Sequence, residues 1–124
     1  MVDGSMKNHG FWRRVYFAWS GIAAATSGEA SFRSQLGAGV AIFAFLAWSR
    51  PSAVWWALTA ATVSAILAAE LFNTALEHLV DVLHPDLHPM IGRAKDCAAG
   101  AVLVLSIGAL GVFGALVYQI LHGA

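Results

Sequence analysis

Glu70, Asn73, Glu77 and Asp81 lie in the stretch AAELFNTALEHLVD, the last three at offsets 3, 7 and 11 from the first. On an α-helix turning about 100° per residue, their side chains fall within about 80° of arc, on one face. Three carboxylates and an amide stacked in this way repel one another unless a cation or a proton sits among them. One chemistry that uses such a face is phosphoryl transfer. It needs Mg²⁺ to offset the charge of the nucleotide phosphates, a base for the attacking hydroxyl, and a cation on the phosphates. Mg²⁺ favours one or two carboxylates plus phosphate oxygens. Glu29, Glu70 and Glu77 offer ligands and a base, and Lys95 offers the cation. The other chemistry is proton coupling in a small transporter, which also keeps a glutamate in a helix bundle. A plain solvated helix end is the non-functional alternative. The chain has no GxxxxGK[ST] loop, no GxGxxG and none of the aspartate motifs of protein kinases.

The elements that carry these residues read as membrane helices. The 124-residue chain is 59% hydrophobic and only 11% charged, against about 25% charged in a soluble domain. Its mean hydropathy is +0.69. Its length suits one domain, and its zero net charge makes nucleic acid an unexpected partner. A single cysteine, Cys97, excludes an intrachain disulfide and a paired-cysteine zinc site. No signal peptide is expected, because Met1 to Gly10 is polar. Uncharged runs of 16, 19 and 25 residues separate Arg33 from Arg50, Arg50 from Glu70, and Asp96 from His122. A spanning helix needs about 20 apolar residues, fewer when flanking charges snorkel. The expected fold is therefore all-α: an interfacial amphipathic helix at about 8–27, then transmembrane helices at about 31–49, 52–84 and 91–120. The second continues as an aqueous extension towards His84, since no helix breaker precedes Pro85. Ser49-Arg50-Pro51 forms one turn, and His84 to Pro89, with its two prolines, the other.

Arg13 and Arg14 among Phe11, Trp12, Tyr16, Phe17 and Trp19 suit a helix lying in the interface. Six of the seven lysines and arginines flank the inner ends: Lys7, Arg13, Arg14, Arg33, Arg93 and Lys95. Only Arg50 falls on the other side, so the N-terminus and the acid face are expected in the cytoplasm, where ATP is. Glu70 is about 27 Å along its helix, at the inner edge of a hydrocarbon core about 30 Å thick. A transporter would hold its acid near the midplane, accessible from both sides. Acids confined to one interface favour the kinase.

ELFNTALEHLVD at Glu70–Asp81, followed by GRAKD at Gly92–Asp96, resembles the signature of the small prokaryotic integral-membrane diacylglycerol kinases. Gram-positive relatives in that family phosphorylate undecaprenol. GEASFR at Gly28–Arg33 is similar to the family's first conserved block, and the resemblance runs from about Phe11 to the end of the third spanning helix. It implies a homotrimeric helical bundle in the bacterial inner membrane, with sites shared between subunits, using ATP, Mg²⁺ and a lipid alcohol. It implies Glu70 as catalytic base and Glu29 with Glu77 as Mg²⁺ ligands. Asn73, Lys95 and Asp96 match other polar site positions. Asp86 and His88 match a nucleotide-contacting segment, and Asp81 a ribose-facing or supporting position.

Gln35 and Ala99 depart from the diacylglycerol kinases of Gram-negative bacteria, which usually carry an acid and a serine there. The run from Lys95 to Leu103 is closer to the polyprenol type. The lipid expected is diacylglycerol, with undecaprenol as the alternative. Diacylglycerol brings ester carbonyls that need donors, and Asn73, Gln35, Ser31 and Ser34 stand at the right depth. His78 and His84 read as solvated histidines. Gly100, Gly108, Gly111 and Gly114 read as points of close helix approach. Trp48, Trp55 and Trp56 read as an aromatic belt.

Overall fold

The computed structural model describes residues 10–83 and 88–123. Four helices follow one another: α1 Phe11–Gly28, α2 Ala30–Ser49, α3 Ala53–Leu83 and α4 Pro89–His122. The all-α fold is the one expected, and α2, α3 and α4 are each long and apolar enough to cross a membrane. Gly21 stays within α1 despite its low helix propensity. His84, Pro85 and Asp86 lie outside the described residues.

One boundary differs from the sequence reading. Pro89 does not belong to the turn; it opens α4. The first four N–H groups of a helix have no partner within it, so a missing N–H costs nothing there, and proline's fixed φ already suits the helix. His88 caps this start, its Nδ1 accepting the Met90 N–H at 3.0 Å.

Helix α3 is the spine. It packs most extensively on α4, then on α2, while α1 lies mainly against α2. Its buried positions are Thr59, Ile66, Glu70, Thr74 and Val80, so the face carrying Glu70 is the one turned inward. Helices α2 and α3 pack tightly at Gly39, where an added Cβ would stand 3.0 Å from Val63 Cγ1. The glycines expected to do this, Gly100, Gly108, Gly111 and Gly114, meet nothing within 4 Å. Smallness shows that a helix can be approached, but not from which side.

At the far end Arg50 turns the chain in the left-handed region (φ 52°, ψ 55°), its N–H bonded to Leu46 O at 2.8 Å. Trp55 is not only part of a belt: its Nε1 donates to Gln119 Oε1 at 3.0 Å and clasps α3 to α4. The buried apolar core is small, namely Ala25, Phe32, Leu46, Ile66, Val80 and Leu116. Only 6% of the most apolar window of α4 is buried. Helices so apolar and so bare need lipid or another protein around them, because water would oppose the exposure.

Candidate active site

A single residue joins α1 to α2. Glu29 takes an extended conformation (φ −121°, ψ 113°). Its N–H closes α1 on Ala25 O at 2.9 Å, and its carbonyl accepts the Arg33 N–H at 3.2 Å, starting α2. Arg33 then folds back, Nη1 donating to Thr26 O and Ser27 O at 3.1 Å each. These are carbonyls that the end of α1 leaves unpaired, and a cation is favoured at that negative pole. The Glu29 side chain makes no capping hydrogen bond, so its carboxylate remains available. It is half-buried, with Oε2 3.8 Å from Nε2 of the exposed His78, a loose contact worth little.

Two residues further on, Ser31 Oγ donates to Glu70 Oε2 at 2.9 Å. Glu70 is only 3% exposed. A carboxylate so placed is costly unless donors reach it, and the first turn of α2 supplies one. Next on the same face, Asn73 Oδ1 is buried with no hydrogen-bond partner among the described residues. A buried amide oxygen without a donor calls for one from outside, or for a cation. Glu77 is half-buried and Asp81 exposed, so the arc opens towards the helix end.

From α4, Lys95 is half-buried and Asp96 exposed. Neither they nor Glu77 and Asp81 hydrogen-bond or ion-pair with another described side chain. His88 is exposed and engaged in its cap; Asp86 lies outside the described residues. The chain thus gathers Glu29, Ser31, Glu70 and His78 where α2 meets α3, and leaves Lys95 and Asp96 without a described partner. Among the described residues no three His, Cys, Asp or Glu side chains cluster as a self-sufficient metal site.

The contacts of Ser31 and Arg33 are the features of this site that residue types alone do not reveal. Ser31 reads in the sequence as a donor free for a lipid carbonyl, yet its proton is committed to Glu70. Only the register of α2 on α3 could have shown this. Deeper, a groove of about 450 Å³ runs between α2, α3 and α4. Its wall includes Ile42, Val63, Ile66 and Phe113, with Gln35 and Thr62 among the few polar groups. Ile66, in its wall, stands one turn before Glu70, which does not itself line the groove.

Glu70 is thus a buried acid one turn from an apolar groove. Residues 16–117 match the family model described as prokaryotic diacylglycerol kinase. The chain belongs to the prokaryotic diacylglycerol kinase family. A diacylglycerol kinase of Synechocystis is 38% identical over 101 residues, 81% of this chain and 58% of that protein. A diacylglycerol kinase of Escherichia coli is 32% identical over 94 residues, 76% of this chain and 77% of the relative. An undecaprenol kinase of Bacillus subtilis is 31% identical over 97 residues, 78% of this chain and 79% of the relative. As a member of the prokaryotic diacylglycerol kinase family, the chain is a lipid kinase with ATP as co-substrate. Its three apolar helices and bacterial relatives make it a bacterial membrane protein.

Proposed function

We propose that the chain phosphorylates the primary hydroxyl of diacylglycerol, giving phosphatidic acid, with Glu70 as the base. The observation that carries this reading is the placement of Glu70: buried, held on one oxygen by Ser31, and one turn from an apolar groove. Glu70 Oε1 accepts no hydrogen bond from a described residue, so it is the oxygen left for the substrate. In the reaction the lipid hydroxyl oxygen attacks the γ-phosphorus, its proton passes to Glu70, and the bond to the β–γ bridging oxygen breaks, releasing ADP. The lipid's chains lie in the groove, and Gln35 in its wall offers an N–H to an ester carbonyl.

Glu29 and Glu77 are the proposed Mg²⁺ ligands. The donor set fits: hard oxygens only, an unused carboxylate at Glu29, and the unpaired Asn73 Oδ1 between Glu70 and Glu77. Mg²⁺ takes most of its remaining ligands from nucleotide phosphates and water. When bound, Mg²⁺ would offset the phosphates' negative charge. Lys95 steadies the phosphates, while Asp96 and His88 lie on the nucleotide side and Asp81 towards its ribose. The site faces the cytoplasm of a bacterial inner-membrane protein, as the lysine and arginine distribution supports. The assembly is a homotrimer, in keeping with the bare outer faces of the helices.

The test is competition. Purified protein in mixed micelles receives labelled ATP, Mg²⁺, diacylglycerol and undecaprenol at equal mole fraction. Phosphatidic acid should form faster. If polyprenyl phosphate forms at least about tenfold faster, which is about 1.4 kcal/mol in the transition state, undecaprenol is the substrate and the diacylglycerol assignment fails.

A further inference from the structure

We propose that Ser31 is a positioning residue for phosphoryl transfer: it fixes the Glu70 carboxylate so that one oxygen is always turned to the lipid hydroxyl. This rests on Glu70 being the base. Four observations carry it. The Ser31–Glu70 bond, at 2.9 Å, joins residues 39 apart and is the only side-chain hydrogen bond between α2 and α3 among the described residues. Glu70 is 3% exposed, so water competes poorly for the oxygen that Ser31 holds. Ser31 is the second residue of α2, in the turn anchored by Glu29 and Arg33, so its hydroxyl sits on backbone fixed from both sides. Finally, the bond falls on Oε2 alone.

A glutamate side chain has three rotatable bonds, and a base acts only from geometry close to that of attack. A hydroxyl that donates to one oxygen removes most of that freedom without occupying the other. Because a serine hydroxyl has a single proton, this assignment excludes Ser31 as the donor to a lipid ester carbonyl. It also ties the base to the junction that presents Glu29, since Glu29 and Ser31 share the first turn of α2.

The experiment measures kcat and both KM values for full-length Ser31→Ala, Ser31→Thr and Ser31→Val in mixed micelles with ATP, Mg²⁺ and diacylglycerol, and with undecaprenol in parallel. Ser31→Ala should lower kcat about ten- to a hundredfold, the usual weight of a hydrogen bond to a charged group. KM for ATP and for lipid should stay within about twofold. Thr and Val are nearly equal in size, so Ser31→Thr should recover at least about a third of the wild-type kcat while Ser31→Val should resemble Ser31→Ala. That pair decides the matter even if the alanine variant assembles poorly. In a Glu70→Gln background, Ser31→Ala should change the residual rate less than about twofold, because no base is left for the hydroxyl to orient. A wild-type kcat in Ser31→Ala, a loss confined to the lipid KM, equal Thr and Val variants, or a full effect in the Glu70→Gln background would each overturn the proposal. Failure of the base reading is distinct: there Glu70→Gln alone retains most of the activity.

Discussion

The burial of Glu70 is what makes single-residue predictions sharp. Glu70→Gln keeps the volume and can still take the Ser31 proton on its amide oxygen, so insertion, assembly and ATP binding should survive. The rate should fall about 10²–10⁴-fold, the usual share of general base catalysis. Retention of more than a third of the wild-type rate would remove Glu70 from the base role. Glu29→Ala and Glu77→Ala should raise the Mg²⁺ concentration needed for half-maximal rate as well as lower the maximum; an unchanged Mg²⁺ titration in both variants would remove them from the metal. Lys95→Ala should raise the KM for ATP, and Lys95→Arg should restore it only in part, because a planar fork replaces a compact point charge. Much of this site was legible in the sequence. The helix period alone puts Glu70, Asn73, Glu77 and Asp81 on one arc, since local geometry needs no tertiary information. Ser31 was legible only as a hydroxyl near the right depth. Its partner depends on how α2 slides along α3, which no spacing within either helix determines.

Among the elements, the α2–α3 contact sets the register that the site needs. Gly39 lets the two helices approach at Val63, where even a Cβ would press on the valine methyl at 3.0 Å. Gly39→Leu should destabilise the assembled protein by about 1–3 kcal/mol, as overpacking does, and lower the rate by shifting Ser31 from Glu70. Val63→Ala in the same chain should recover part of both losses. Thermal inactivation in micelles, followed alongside activity, checks it; a Gly39→Leu protein that behaves as wild type would mean that the contact is not held during turnover. The sequence pointed instead to glycines of α4, because glycines in an apolar helix look alike whether they meet a neighbour or lipid. Helix existence and order were legible from the charge-free runs, whereas the start of α4 was not: a proline just past a turn reads as part of it until the helix is seen beginning there.

For the whole molecule, the question is which way it lies in the membrane. Cys97 is exposed, two residues beyond Lys95 near the start of α4, and is the chain's only cysteine. It is therefore a natural reporter. A membrane-impermeant maleimide should leave Cys97 unlabelled in right-side-out vesicles and label it after permeabilisation, with Cys97→Ser as the blank. Labelling of intact vesicles would place the acid face outside. The bareness of α4 was foreseeable from its composition, but what covers it is not written within one chain, because apolar residues contact lipid and protein alike.

The one-residue joint at Glu29 has a consequence for chain length. An extra residue between Glu29 and Ala30 would leave Ser31 beside Glu70, for both belong to the α2–α3 pair. Taken up as one more helical residue at the start of α2, it would move Glu29 about 100° round the α2 axis, carrying its carboxylate off the acid face and the last carbonyls of α1 away from Arg33. The Ser31–Glu70 pair would stay intact while the carboxylate proposed for the metal is displaced. Four inserted residues would bring the phase back to within about 40° yet lift α1 about 6 Å. This joint therefore constrains the number of residues as tightly as it does the carboxylate at Glu29.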